Sequence, residues 1–122
     1  MLAYVTQGVN DMGRAIAFYD AVFAPLGAER GVTSETWTSY ARPGERARVC
    51  LVRPFDGKAA SAGNGQMLAM EAPDKAGVDA FHAAALAHGG TEEGLPGVRE
   101  ETHYVAYVRD PDGNKLCAFA PK

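Results

Sequence analysis

Long apolar runs, clustered positive charge and cysteine are all scarce in this chain of 122 residues. No uninterrupted apolar stretch approaches the about 18 residues that a membrane-spanning helix needs. Met1 leads directly into a strand-like segment, without the basic, apolar and small-residue succession of a secretory leader. No membrane partner is therefore expected. Twelve Lys and Arg against fifteen Asp and Glu leave a formal charge of −3 and a pI near 5.5. With no basic run, nucleic acid and anionic surfaces are not expected as main partners either. Cys50 and Cys117 lie 67 positions apart with no CxxC spacing. That usage suits free thiols in a reducing cytoplasm and excludes a disulfide framework. Also missing are a nucleophile motif, a phosphate-cradling glycine loop and a dinucleotide fingerprint.

What is present is a repeat. The stretch from His103 to Lys122 reads as two strands, Tyr104–Val108 and Leu116–Ala120, around Asp110-Pro111-Asp112-Gly113-Asn114. Proline presets φ in that turn, glycine tolerates positive φ, and the Asp and Asn side chains can bond the local backbone. An earlier copy runs from Tyr40 to Pro54. Shifted by 67, Tyr40 falls on Tyr107, Arg42 on Arg109, Cys50 on Cys117 and Pro54 on Pro121. Upstream, a shift of 63 brings Asp11 onto Asp74, Phe18 onto Phe81 and Gly27 onto Gly90. Internal repetition of this kind divides one domain into two similar halves: module one at 1–54, a linker at 55–65 and module two at 66–122.

In chain order, Leu2–Val9 alternates as a first strand. Asn10 or Asp11 caps a helix whose apolar face recurs at Met12, Ala15, Ile16, Tyr19, Val22, Phe23 and Leu26, and Gly27 ends it. Residues 29–34, 36–41 and 47–54 read as three short strands. The linker is small, polar and glycine-rich, and is expected to be mobile. Residues 66–71 form the next strand, and Asp74 to about His88 the second helix, with Val78, Phe81 and Ala85 on its apolar face. Residues 91–102 are expected to be mostly loop around one short strand. Each half is thus strand, helix, strand, strand, strand.

The two βαβββ modules, the helix GVNDMGRAIAFYDAVFAPLGA and the hairpin VRDPDGNKLCAF resemble the vicinal oxygen chelate superfamily, which holds glyoxalase I, bleomycin-resistance proteins and extradiol dioxygenases. The resemblance spans essentially the whole chain. It implies an α+β fold in which the modules form a cupped mixed sheet with helices on the outer face. In metal-using members it implies a divalent ion held by His and Glu from the first and last strands of each module. The corresponding positions here are Tyr4, Cys50, Met67 and Cys117. A Lewis-acidic ion prefers imidazole and carboxylate ligands, so no metal and no cofactor are expected, and glyoxalase or dioxygenase activity does not carry over. Two thiols and a thioether suit a soft ion such as Cu(I), but equally fill an apolar pocket.

Strand alternation puts Tyr4 and Thr6, Arg48, Cys50 and Val52, Met67, Ala69 and Glu71, and Cys117 and Phe119 on the inner face of the cup. Trp37 and Tyr40, or Tyr104 and Tyr107, are expected to wall it, with His103 facing in and Arg48 placed to orient an anion. His82 and His88 are expected near the surface of the second helix. The ligand-binding set is therefore Tyr4, Thr6, Trp37, Tyr40, Arg48, Cys50, Met67, Glu71, His103, Cys117 and Phe119. Such a surface suits a small, mostly apolar ligand bound without turnover. The alternatives are a lyase- or dioxygenase-type enzyme of the same superfamily, using a soft metal or metal-free acid/base chemistry at Glu71, Tyr4 or His103, and an interaction module whose ligand site has decayed. The resemblance and the open sheet edges also imply a homodimer.

Overall fold

The computed structural model describes residues Met1–Lys122. Strand β1 (Tyr4–Gly8) leads into helix α1 (Met12–Phe23), a 3₁₀ turn at Ala24–Leu26, and strands β2 (Glu29–Arg30), β3 (Trp37–Ala41) and β4 (Arg48–Val52). The second half repeats the order with β5 (Leu68–Glu71), α2 (Lys75–Ala87), β6 (Thr91–Arg99), β7 (His103–Arg109) and β8 (Lys115–Pro121). The result is α+β, with two four-stranded mixed sheets ordered β1-β4-β3-β2 and β5-β8-β7-β6. In each sheet the first and last strands of the module run parallel, and the remaining pairs are antiparallel.

Two local expectations are corrected. Strand β2 has only two residues, and 91–102 is not mostly loop, because β6 occupies nine of those positions. Gly94, Pro96 and Gly97 argue against a strand, yet β6 absorbs them at two register irregularities. It lies at the sheet edge, where one side of the backbone needs no partner strand, so the missing proline donor is harmless.

Both helices begin the same way. Asp11 accepts from the Arg14 backbone N–H at 3.0 Å, and Asp74 accepts from that of Gly77 at 2.8 Å. These caps are the 63-residue repeat made structural, each satisfying an otherwise orphaned donor. From α1, Met12, Ala15, Phe18, Tyr19, Val22 and Phe23 are buried; from α2, Gly77, Val78, Phe81, His82 and Ala85. His82 is therefore not a surface residue, and its Nε2 is buried without a hydrogen-bond partner. One core of 19 buried residues draws on both modules. Full burial of side chains such as Phe18 and Phe81 contributes about 1.5–3 kcal/mol each. The linker, expected to be mobile, is pinned at its middle: Asn10 accepts from the Ala60 N–H and donates to the Ala60 carbonyl.

Register decides which side chains face the helices. Opposite residues in a pair share a face, so Thr6, Cys50 and Ser39 lie together, as do Ala69, Cys117 and Tyr107. These are the helix-free, open faces. Thr38, Tyr40 and Leu51 take the opposite face and are buried in the core. The face of Tyr40 is thus corrected: it donates to Asp20 Oδ1 at 2.6 Å and packs on Phe23, and it lines a cavity from the helix side without walling the open face. The repeat aligns Tyr40 with Tyr107, but β3 and β7 differ by one rung. Tyr40 pairs with Val49, whereas Tyr107 pairs with Cys117, the equivalent of Cys50. A slip of one residue sends a side chain to the other face of a sheet.

Candidate functional site

Strands β1 and β5 are the facing edges of the two sheets, and the ladders stop there. Two cavities open along this seam. Both are walled by Val5 and Leu68, residues that the 63-residue repeat makes equivalent. The first, about 410 Å³, adds Tyr4 on one strand and Ala69, Met70 and Glu71 on the other. The second, about 350 Å³, adds Thr6 and Gln7 on one side, Gln66 and Met67 on the other. Moving forward along β1 is moving backward along β5, so the modules meet about an approximate two-fold axis at the seam.

The two ends differ in character. The wall of the first cavity is apolar or aromatic except for Arg42, Glu45, Arg48 and Glu71. Arg42 is committed to structure: it pairs with Glu45 at 3.4 Å and donates to the carbonyls of Leu26, at 2.7 Å, and Glu71. Arg48 takes part in none of the four ion pairs of the molecule. The second cavity is mostly polar, with Thr6, Gln7, Gln66, Asn114 and Lys115 in its wall.

On the open face of the first sheet, Tyr4 and Trp37 meet edge to face with ring centroids 5.9 Å apart, and both are exposed. Such a pair contributes about 0.5–1.5 kcal/mol beyond its buried area, yet here it leaves aromatic surface free. On the second sheet His103 packs edge to face on Phe119 at 5.4 Å, and His103 Nδ1 lies 2.9 Å from Thr102 Oγ1. Tyr104 points the other way, to Asp79 of α2, whereas Tyr107 stays on the open face between Arg99 and Lys115. Sequence reading missed Lys115 and Leu68 as cavity residues. The period-two pattern of β8 carries the signal for Lys115, which alternates in phase with Cys117 and Phe119.

The residues at the metal-ligand positions do not fit a divalent ion. Register sets Thr6, not Tyr4, opposite Cys50, and Ala69, not Met67, opposite Cys117. Both thiols are free and buried. Burial pushes each above its ordinary pKa, against the opposing pull of Arg48 on Cys50 and Lys115 on Cys117. Nowhere do three His, Cys, Asp or Glu side chains gather as a metal-holding group.

Compared with known proteins, residues 1–118 match the family model described as Glyoxalase/Bleomycin resistance protein/Dioxygenase superfamily. The chain belongs to this superfamily. Among solved structures, it is 41% identical to a glyoxalase/bleomycin resistance protein from Albidiferax ferrireducens T118, covering 98% of each chain with a TM-score of 0.90. It also shares the superfamily fold with a glyoxalase/bleomycin resistance protein/dioxygenase family enzyme from Burkholderia phytofirmans PsJN, at 20% identity, coverage of 96% and 95%, and a TM-score of 0.76. A lactoylglutathione lyase from Agrobacterium tumefaciens is similar at 22% identity, coverage of 98% and 92%, and a TM-score of 0.68. No curated protein matches the chain. No helix is long and apolar enough to cross a membrane.

Proposed function

We propose that this superfamily member binds a small, mostly apolar molecule along the β1–β5 seam, without turnover and without the divalent ion of its metal-using relatives. The observation that carries this reading is the 410 Å³ cavity, whose volume and apolar wall match those of small-molecule sites. The exposed Tyr4–Trp37 pair beside it offers aromatic surface to a ligand. The soft-metal alternative is disfavoured because register sets Thr6 opposite Cys50 and Ala69 opposite Cys117, so the four positions do not converge as a ligand set. A thermal-shift screen against aromatic and aliphatic metabolites is expected to give stabilising hits that are lost in Tyr4→Ala and in Met70→Glu. Hits retained by both variants, or an absence of hits, would overturn the reading.

The chain is further proposed to act in the cytoplasm as a homodimer. Leu2, Leu95 and Val98 are large apolar side chains left exposed on the single chain. Light scattering at micromolar concentration is expected to give twice the 12.9 kDa chain mass; the single-chain mass would rule the dimer out.

A further inference from the structure

The two ends of the seam are charged differently, and the difference bears on what kind of molecule lies there. In the first cavity Arg42 and Arg48 are matched by Glu45 and Glu71, so the charges cancel. In the second, Lys115 is the only ionisable side chain. It makes no ion pair. Its Nζ sits 5.3 Å from the centre of the Tyr107 ring, whose other cationic neighbour is Arg99 at 6.0 Å. Glu93, whose carboxyl is held below its ordinary pKa first by Arg109 and to a lesser degree by Lys115, is ion-paired with Arg109 at 2.8 Å and not with Lys115. In a protein of net charge −3, this end of the seam carries one cationic side chain, with the neutral polar groups of Thr6 and Gln66 in the same wall.

We infer that the bound molecule is an amphipathic anion, with its apolar body in the first cavity and a carboxylate or similar anionic group held by Lys115 in the second. This rests on the binding reading above and specifies its ligand class. Val5 and Leu68 line both cavities, which puts the two next to each other, and the inferred ligand reaches across both. The rise from Tyr4 to Gln7 along β1 sets its length at about 10 Å. A flexible ammonium outside every ion pair of the molecule is a point-charge anchor, and the Thr6 hydroxyl and Gln66 amide in the same wall can replace hydrogen bonds that an anion loses on leaving water.

Matched pairs of probes test this: octanoate against octanol, and 4-phenylbutyrate against 4-phenylbutanol, titrated by NMR with calorimetry where heats allow. In the native protein each acid is expected to bind at least about tenfold more tightly than its alcohol, perturbing Val5, Leu68 and Lys115 together. Lys115→Gln is expected to shrink that preference to under threefold. Lys75→Gln, which removes an equal charge on the helix side over Tyr104, is expected to keep it. Equal binding of acid and alcohol to the native protein would overturn the inference and leave the binding reading standing. So would loss of the preference in Arg48→Gln but not in Lys115→Gln. If no member of either pair perturbs the seam at millimolar concentration, the binding reading falls and the inference with it.

Discussion

The Tyr19 hydroxyl donates to Asp110 Oδ2 at 2.6 Å, joining the helix of the first module to the last turn of the second. Both side chains are buried. Asp110 also accepts from the backbone N–H groups of Asp112 and Asn114 and from the Asn114 side chain, which itself donates to the Gly8 carbonyl. The Asp-Pro-Asp-Gly-Asn turn is therefore a structural junction between modules.

Replacing Tyr19 with Phe removes one of the donors to a buried carboxylate while preserving the ring contacts with Phe18 and Phe23. A loss of about 1.5–3 kcal/mol is expected, the range for a buried hydrogen bond to a charged group. Urea unfolding gives the value directly, and a change under 0.5 kcal/mol would show the junction to be idle.

Stability is expected to fall at high pH. Burial, then Asp110, raises Tyr19 well above its ordinary pKa; burial, then Asp20, does the same for Tyr40. A raised folded-state pKa means that the folded chain keeps a proton that the unfolded chain releases above about 10. The contribution is thus fully present below about pH 10 and is lost as pH rises toward the folded values. The urea midpoint should be level between pH 7 and 9 and drop beyond 10, less steeply in Tyr40→Phe. A midpoint that climbs above pH 10 contradicts this.

Two glycines should respond oppositely to alanine. A Cβ at Gly90 would lie 2.7 Å from the Arg109 carbonyl and 2.9 Å from that of Ala85, both backbone atoms that cannot swing aside. Overpacking of this kind costs about 1–3 kcal/mol. At Gly13, inside α1, the nearest atom is Asp11 Oδ1 at 3.5 Å, and Ala should stabilise by about 0.5–1 kcal/mol through helix propensity. Thermal unfolding of the two variants side by side separates the effects; the same sign in both would refute the packing argument.

The thiols of Cys50 and Cys117 should be slow to react with Ellman's reagent at pH 7. Both are buried, and both are raised in pKa by that burial. Two thiols per chain are expected to react at once in urea and neither within minutes in the native protein. Rapid native labelling would mean that the open face admits reagents more freely than its packing allows.

The helices, the caps and the two-module order were legible in the sequence because they rest on local rules. Asp11 and Asp74 each precede a periodic apolar face, and Asp110–Asn114 holds the residue types a tight turn needs. The pairing of Cys50 and Cys117 with one open face also followed from alternation along single strands. Three things did not follow. Tyr40 and Tyr107 align by sequence yet face opposite sides, because eight residues separate Tyr40 from its partner Val49 and seven separate Val108 from Leu116. His82 is polar but buried, because α2 is covered on more than the stripe its own pattern shows. The seam, with neutral charge at one end and Lys115 alone at the other, needs β1 and β5 to face each other across two cavities. Periodicity fixes which face a residue takes within a strand. The register between strands and the meeting of two sheet edges depend on contacts between residues distant in sequence, and only the tertiary structure decided those.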